Sequence, residues 1–348
     1  MQTIKPKRLR RGGRVAAVSL SWGGPGAFPH RYAAGKRQFE EEFGVAVTET
    51  AHALRDADWL DRNPRARADD LMAAFADPGV DGVIATIGGD DSIRLLPYLD
   101  LNVIRENPKV FMGYSDTTVM HCVCRKAGLA SFYGPSFMAG FAENAGMFPY
   151  MVDSVRRTLF DADPSGLLPP NESGWTVEHL DWADPSCQSV ARKLNPCTGW
   201  VFHQQEGVVE GTLFGGCVEV LDWLRGTPVF PSAESLDGAI LFLETSEEAP
   251  TPEMLRRFIR SLAAMGCLQP LAGVLLGRPG GQLDPTLFPG YADTLCRTVR
   301  EEYGLGELPI VSNMDFGHTD PMMVLPLGVR VRIDSGRREL SIPEAAVT

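Results

Sequence analysis

The segment Lys109-Val-Phe-Met-Gly-Tyr-Ser-Asp-Thr-Thr118 brings an apolar run to Gly113 and sets Ser115 at the turn before a helical stretch. A serine in that position projects its hydroxyl out of a sheet, while the amide of Asp116 and the positive end of the new helix face the same space. These are the parts of a nucleophile and half of an oxyanion hole. The motif lacks the last glycine of Gly-x-Ser-x-Gly, and the same serine serves equally well as a helix cap. A serine hydroxyl needs a base to take its proton. Of six histidines, His318 lies in Asn-Met-Asp-Phe-Gly-His-Thr-Asp-Pro, a loop directly after an expected strand, where catalytic side chains are usually mounted. Histidines 30, 52, 179 and 203 have no such setting, and His121 sits inside a helix where it can simply pack. The base in turn needs an acceptor, and Glu244 ends the apolar run Ala239-Ile-Leu-Phe-Leu. Glu247 and Glu248 compete for that role, a surface acidic loop is the other reading, and Glu248 is also a candidate substrate contact.

Val83-Ile-Ala-Thr-Ile-Gly-Gly-Asp-Asp-Ser92 reads as a strand entering a Gly-Gly turn. No Gly-x-x-x-x-Gly-Lys-Ser/Thr pattern follows and two aspartates repel an anion, so a phosphate loop is not expected. The glycines allow close backbone approach, which makes the amide of Gly89 the candidate second oxyanion donor beside Asp116. Asp90 or Asp91 can pair with a substrate ammonium, although capping the next helix explains one of them. Trp22-Gly-Gly-Pro-Gly does not match a dinucleotide fingerprint. His121-Cys-Val-Cys124 places its cysteines two apart on a helix with no matching second pair. No metal and no organic cofactor is therefore expected. Trp175 and Trp182, in a polar segment, are candidates to stack on a substrate ring or to anchor their loop.

The elements around these residues form an α/β pattern. Expected strands are 14–21, 80–87 and 109–114 in the first part, then 208–214, 238–243, 271–277 and 309–314, with 329–333 and 339–342 closing. Expected helices include 92–98, 216–225, 252–265 and 285–303, the third capped by Thr251 with Pro252 at its first position. Residues 1–165 read as one α/β domain, 166–200 as a Pro/Gly/Ser/Trp-rich linker that overhangs a cleft, and 201–348 as a second domain. The chain has 348 residues, 33 basic and 44 acidic, for a net charge of −11. That balance argues against a nucleic-acid polymer as partner. No apolar run reaches the length of a membrane span. Seven cysteines, an odd and scattered set, suit a reducing cytoplasm better than a disulfide framework.

Five segments together, Ile87-Gly-Gly-Asp-Asp-Ser, Gly113-Tyr-Ser-Asp-Thr-Thr, Gly211-Thr-Leu-Phe-Gly-Gly, Leu243-Glu-Thr-Ser-Glu-Glu and Gly317-His-Thr-Asp-Pro, resemble the serine peptidase family of LD-carboxypeptidases and their microcin C immunity relatives. The resemblance implies a Ser115–Glu244–His318 triad, a Rossmann-like N-terminal parallel-sheet domain, a C-terminal swivelling-type β/α domain, and a homodimer. Murein-recycling members remove a terminal D-alanine and tend to carry Gly-Gly-Tyr-Gly at the first segment. The acidic version here is more similar to the immunity branch, which cleaves aminoacyl-nucleotide analogues and stacks a loop aromatic on adenine, a part for Trp175 or Trp182. The substrate so implied is a small peptide or an aminoacyl-nucleotide. A binding module without catalysis is the reading from another class. Cys217 departs from the asparagine of many relatives, so a substrate contact there would differ.

Overall fold

The computed structural model describes residues 3–203 and 207–348. Its strands are β1 (Arg14–Val18), β2 (Ala46–Glu49), β3 (Gly82–Ala85), β4 (Val110–Gly113), β5 (Ser131–Tyr133), β6 (Gly166–Leu167), β7 (Val201–His203), β8 (Val208–Cys217), β9 (Ile240–Glu244), β10 (Gly273–Gly277), β11 (Ile310–Met314), β12 (Leu325–Leu327), β13 (Arg330–Asp334) and β14 (Glu339–Ile342). They form a six-stranded sheet, β12-β5-β4-β3-β1-β2, and an eight-stranded sheet, β6-β14-β13-β8-β9-β10-β11-β7. The α/β expectation of a parallel N-terminal sheet and a second sheet-bearing domain holds.

β1 to β5 are mutually parallel, and helices such as Pro29–Phe43, Pro64–Ala76 and Thr118–Ala127 make the crossovers. Covered on both faces, β3 and β4 are buried throughout, which is why they read as unbroken apolar runs. In the second sheet β8, β9, β10 and β11 are parallel and β13 runs antiparallel to β8. β13 lies nearer the edge and alternates Val331 and Ile333 inward with arginines and Asp334 outward.

Five strands escaped the sequence reading. β2 is half polar, β5 and β7 have three residues each, β6 has two, and β12 contains Pro326, which fits an edge strand because it cannot donate to a ladder. Thr251 stands at the N-cap of Pro252–Ala264, but its side chain makes no cap bond. The helix expected over 285–303 is broken into a 3₁₀ turn, an α-helix at Phe288–Arg297 and a wider turn at Thr298–Glu302. Residues 92–98 form a 3₁₀ helix, with Pro97 inside it.

The topology gathers loops at the carboxyl ends of parallel strands. β1 runs into Trp22, β3 into the Gly88-Gly89 turn, and β4 into Ser115, while in the other sheet β9 ends on Glu244 and β11 leads to His318. Open α/β sheets place their sites at such ends, near the point where strand order reverses, here between β1 and β3.

Candidate active site

Ser115 is bent into the left-handed region, φ 62°, a conformation that costs a non-glycine residue roughly 1–3 kcal/mol. Its surroundings hold it there. The Ser115 amide donates to the Tyr133 hydroxyl at 3.0 Å. One turn along, buried His121 lies 2.9 Å from both the Gly113 carbonyl and the Ser131 hydroxyl. A carbonyl only accepts, so Nε2 carries the hydrogen and Ser131 donates to Nδ1. Burial lowers the His121 pKa to about 4, which keeps that bridge neutral. The neighbouring turn passes so close that a Cβ on Gly88 would fall 2.9 Å from Ser115 Cβ and 3.0 Å from its Oγ. Gly89 has φ 146°, and a Cβ there would meet the Ser21 hydroxyl at 2.2 Å.

His318 reaches this elbow from the other sheet. Its Nε2 lies 3.0 Å from Ser115 Oγ, and its Nδ1–H donates to Glu244 Oε2 at 2.7 Å. Glu244 is fully buried, and the Tyr133 hydroxyl donates to its second oxygen. The loop can pass over this carboxylate because residue 317 is glycine: φ is 89°, and a Cβ would come within 2.6 Å of Glu244 Cβ. A second carboxylate, Glu247, sits 3.0 Å from Nε2 with its side chain largely exposed. Burial opposes charge on the imidazole, yet Glu244 and Glu247 outweigh it and raise the His318 pKa to about 10. The hydrogen bond from His318 in turn pulls Glu247 down to about 2.

The helix-capping alternative for Ser115 has no support, since its hydroxyl faces His318 and Tyr114 holds the N-cap position of the turn. Of the competing glutamates, Glu244 takes Nδ1 and Glu247 takes Nε2. Glu248 is exposed and outside the cavity lining, its amide donating to Ser246 Oγ. The buried Asp116 carboxylate accepts from the Ser92 amide at 2.9 Å and ties the Gly-Gly turn to the elbow; burial raises its pKa.

Neither aspartate of that turn lines the cavity. Asp91 is instead committed to buried Arg67, at 2.6 and 2.9 Å, and to Ser21 and Arg94; it stands at the N-cap without a cap bond. Asp90 is exposed. Cys217 is buried, pairs with Glu244 across β8 and β9, and directs its thiol to Glu219 at 3.4 Å. It backs the site and is not in the cavity wall. Trp175 is also buried, packed 5.2 Å from Phe288 and bridged to Asn195, so it anchors the loop.

Trp182 does reach the cavity. This space, about 740 Å³, is lined by Ser115, Gly88, Gly89, His318, Glu247 and Trp182, among others. Arg31 lies 4.1 Å from the Trp182 ring centre, and Phe28 and Trp22 continue the aromatic edge. Arg192 bridges Glu143 and Asp320 at the same wall. Arg31 and Arg192 carried no local motif, and Asp320 stood in Gly317-His-Thr-Asp-Pro with no role assigned, because their meeting depends on the helix Pro29–Phe43 and two distant loops.

An N-terminal LD-carboxypeptidase domain matches residues 15–134, and the C-terminal domain of the same family matches 210–333. The chain belongs to the LD-carboxypeptidase family, S66. It is a serine carboxypeptidase by that membership, and the family resemblance read from five segments holds. A putative carboxypeptidase of Bacillus subtilis (strain 168), YocD, is 31% identical over 298 residues, 85% of either chain. The microcin C7 self-immunity protein MccF of Escherichia coli is 29% identical over 282 residues, 80% of this chain and 78% of that one. Among solved structures, an MccF-like protein from Streptococcus pneumoniae in complex with AMP superposes with a TM-score of 0.84 at 29% identity, covering 94% and 98% of the two chains. Family members of this fold thus include both carboxypeptidases and an immunity protein. Among the described residues no cluster of three metal-ligating side chains occurs, and no helix is long and apolar enough to cross a membrane.

Proposed function

We propose that this family member is a serine hydrolase that cleaves the acyl or amide bond of an aminoacyl-nucleotide through Ser115, His318 and Glu244. The observation that carries the reading is the continuous chain Ser115 Oγ–His318–Glu244, at 3.0 and 2.7 Å, in the wall of the cavity that also holds Trp182. Neutral His318 takes the hydroxyl proton through Nε2 as Oγ attacks the carbonyl carbon. Glu244 keeps Nδ1 protonated and stabilises the imidazolium that forms. The amides of Gly89 and Asp116 receive the oxyanion, each donor contributing about 3–4 kcal/mol to the transition state. His318 then passes its proton to the leaving group, and water, deprotonated by the same ring, releases the acyl group from Ser115.

The nucleotide half of the reading is supported by Trp182 with its aromatic neighbours, and by the AMP complex of the similar S. pneumoniae protein. Release of terminal D-alanine from a murein tetrapeptide is the competing activity within the family. A homodimer, by the same resemblance, and a reducing cytoplasm, by the odd and scattered cysteines, complete the proposal, and analytical ultracentrifugation checks the dimer. The deciding experiment offers purified protein a murein tetrapeptide and aspartyl-sulfamoyl-adenosine side by side, with mass detection. A serine-directed phosphonofluoridate should label wild type once, at Ser115, and leave Ser115→Ala unlabelled. D-alanine release alone overturns the nucleotide reading; absence of both labelling and turnover favours a binding module.

A further inference from the structure

The imidazole Nε2 of His318 has one bonding direction and two claimants. Ser115 Oγ and Glu247 Oε2 each stand 3.0 Å from it. With Nδ1–H committed to Glu244, a neutral ring presents a lone pair at Nε2, and a carboxylate facing that lone pair is repelled. The contact with Glu247 is favourable only when Nε2 carries a proton, and a protonated Nε2 cannot accept one from Ser115. The arrangement is therefore that of a resting enzyme whose base is occupied. The groups facing His318 are Glu244 at the end of β9, Glu247 on the loop after it, and Ser115 and Tyr114 at the end of β4, the Tyr114 ring 4.9 Å away. Asp320 on its own loop is paired with Arg192, a cation it shares with Glu143. Glu247 is the group among these with most of its side chain in solvent, and it lines the cavity. It is free to leave.

Resting on the serine-hydrolase reading above, we propose that Glu247 selects acyl groups bearing a free α-ammonium, and that this cation draws Glu247 off His318 so that the imidazole can act on Ser115. An α-ammonium is one carbon from the carbonyl under attack, and Glu247 Oε2 lies within two hydrogen-bond lengths of the attacking hydroxyl. The cation would compete directly for the carboxylate. An aminoacyl compound carries such an ammonium next to its scissile carbonyl. In a murein tetrapeptide the corresponding nitrogen is acylated and uncharged, so that substrate leaves the base occupied. The two aspartates of the Gly-Gly turn, offered by sequence for an ammonium, are unavailable or outside the cavity; of the carboxylates in its lining, Glu178, Asp181, Glu247 and Asp320, it is Glu247 that touches the catalytic imidazole.

The test compares wild type, Glu247→Gln and Glu247→Ala on an aminoacyl-sulfamoyl-adenosine and on its Nα-acetyl derivative. Wild type should favour the free amine by about ten- to hundredfold in kcat/KM, the worth of one charge-assisted contact, and both variants should lose most of that preference. Phosphonofluoridate labelling of the free enzyme gives a readout independent of substrate. Labelling needs a neutral imidazole, so its rate should rise with pH, and its acid limb should move to lower pH in both variants. A preference for the free amine that survives in both variants, or acid limbs identical to wild type, overturns the proposal. Turnover of the tetrapeptide alone by wild type overturns it as well. Wild type that is neither labelled nor active removes the serine-hydrolase reading first, and this inference with it.

Discussion

Tyr133 joins the two halves of the site at a single oxygen. Its hydroxyl accepts from the Ser115 amide and donates to Glu244, so it braces both the strained elbow and the carboxylate that orients His318. Tyr133→Phe should lower kcat by about ten- to hundredfold with little change in KM, since one charge-assisted hydrogen bond is lost and substrate is not touched. With less of its charge drawn away, Glu244 would hold the imidazolium more strongly. The acid limb of the rate profile should therefore move to higher pH, a shift that simple loosening of the fold would not produce. The same site shapes stability. His318 titrates near pH 10 when folded against an ordinary value of 6.5, so its ion pairs contribute fully below about pH 6.5 and are lost as pH rises toward 10. Glu247, lowered to about 2, contributes fully above about pH 4.5 and is lost as pH falls toward 2. Melting temperature should decline from neutral pH to pH 10, and the decline should be smaller in His318→Gln. Calorimetry across that range checks it; identical slopes would remove His318 as the cause.

At the scale of elements, buried ion pairs fasten the loops that carry the chemistry. Arg67, on the helix Pro64–Ala76, is almost fully buried and grips Asp91 together with the Leu20 carbonyl. That clamp sets the Gly88-Gly89 turn against Ser115. Asp91→Ala leaves a buried guanidinium without its partner and should cost about 3–5 kcal/mol of stability, measured by urea unfolding. It should also depress activity under conditions where the protein remains folded. In the other sheet Arg278 pairs with fully buried Asp315, whose other oxygen accepts from Trp200 Nε1 at 2.6 Å and from the Asn171 amide at 3.0 Å. Both ends of the segment that presents Trp182 are thereby fixed to the C-terminal sheet.

Across the whole molecule, the chain does not divide into two independent sheets. After supplying His318, it returns β12 antiparallel to β5, so Leu325–Leu327 form an edge of the N-terminal sheet. The Thr348 amide then donates to the Pro6 carbonyl, and the Arg8 amide donates to Thr348. The loop bearing His318 is held between the sheets by strands on both sides of it, β11 in one and β12 in the other. Such shared strands couple the two cores, and wild type should unfold in one cooperative transition. Separate calorimetric transitions for the two sheets would contradict that coupling.

The serine turn, the loop histidine and the glutamate closing an apolar strand were legible in the sequence as candidates because each is a local pattern: an apolar run, a turn residue, and a side chain with one chemical use. The long buried strands were legible for the same reason, while two- and three-residue strands such as β5 and β12 carry too little pattern to register. Which tryptophan faces the cavity, and which carboxylate near His318 binds which ring nitrogen, depended on contacts between residues up to two hundred positions apart. Trp175 and Trp182 share a loop and a chemistry, yet packing against Phe288 buries one and leaves the other beside Arg31. Asp91 looked free to meet a substrate until Arg67, from a different helix, claimed it. Local composition decides what a residue can do; burial and the partners brought by the fold decide what it is left free to do.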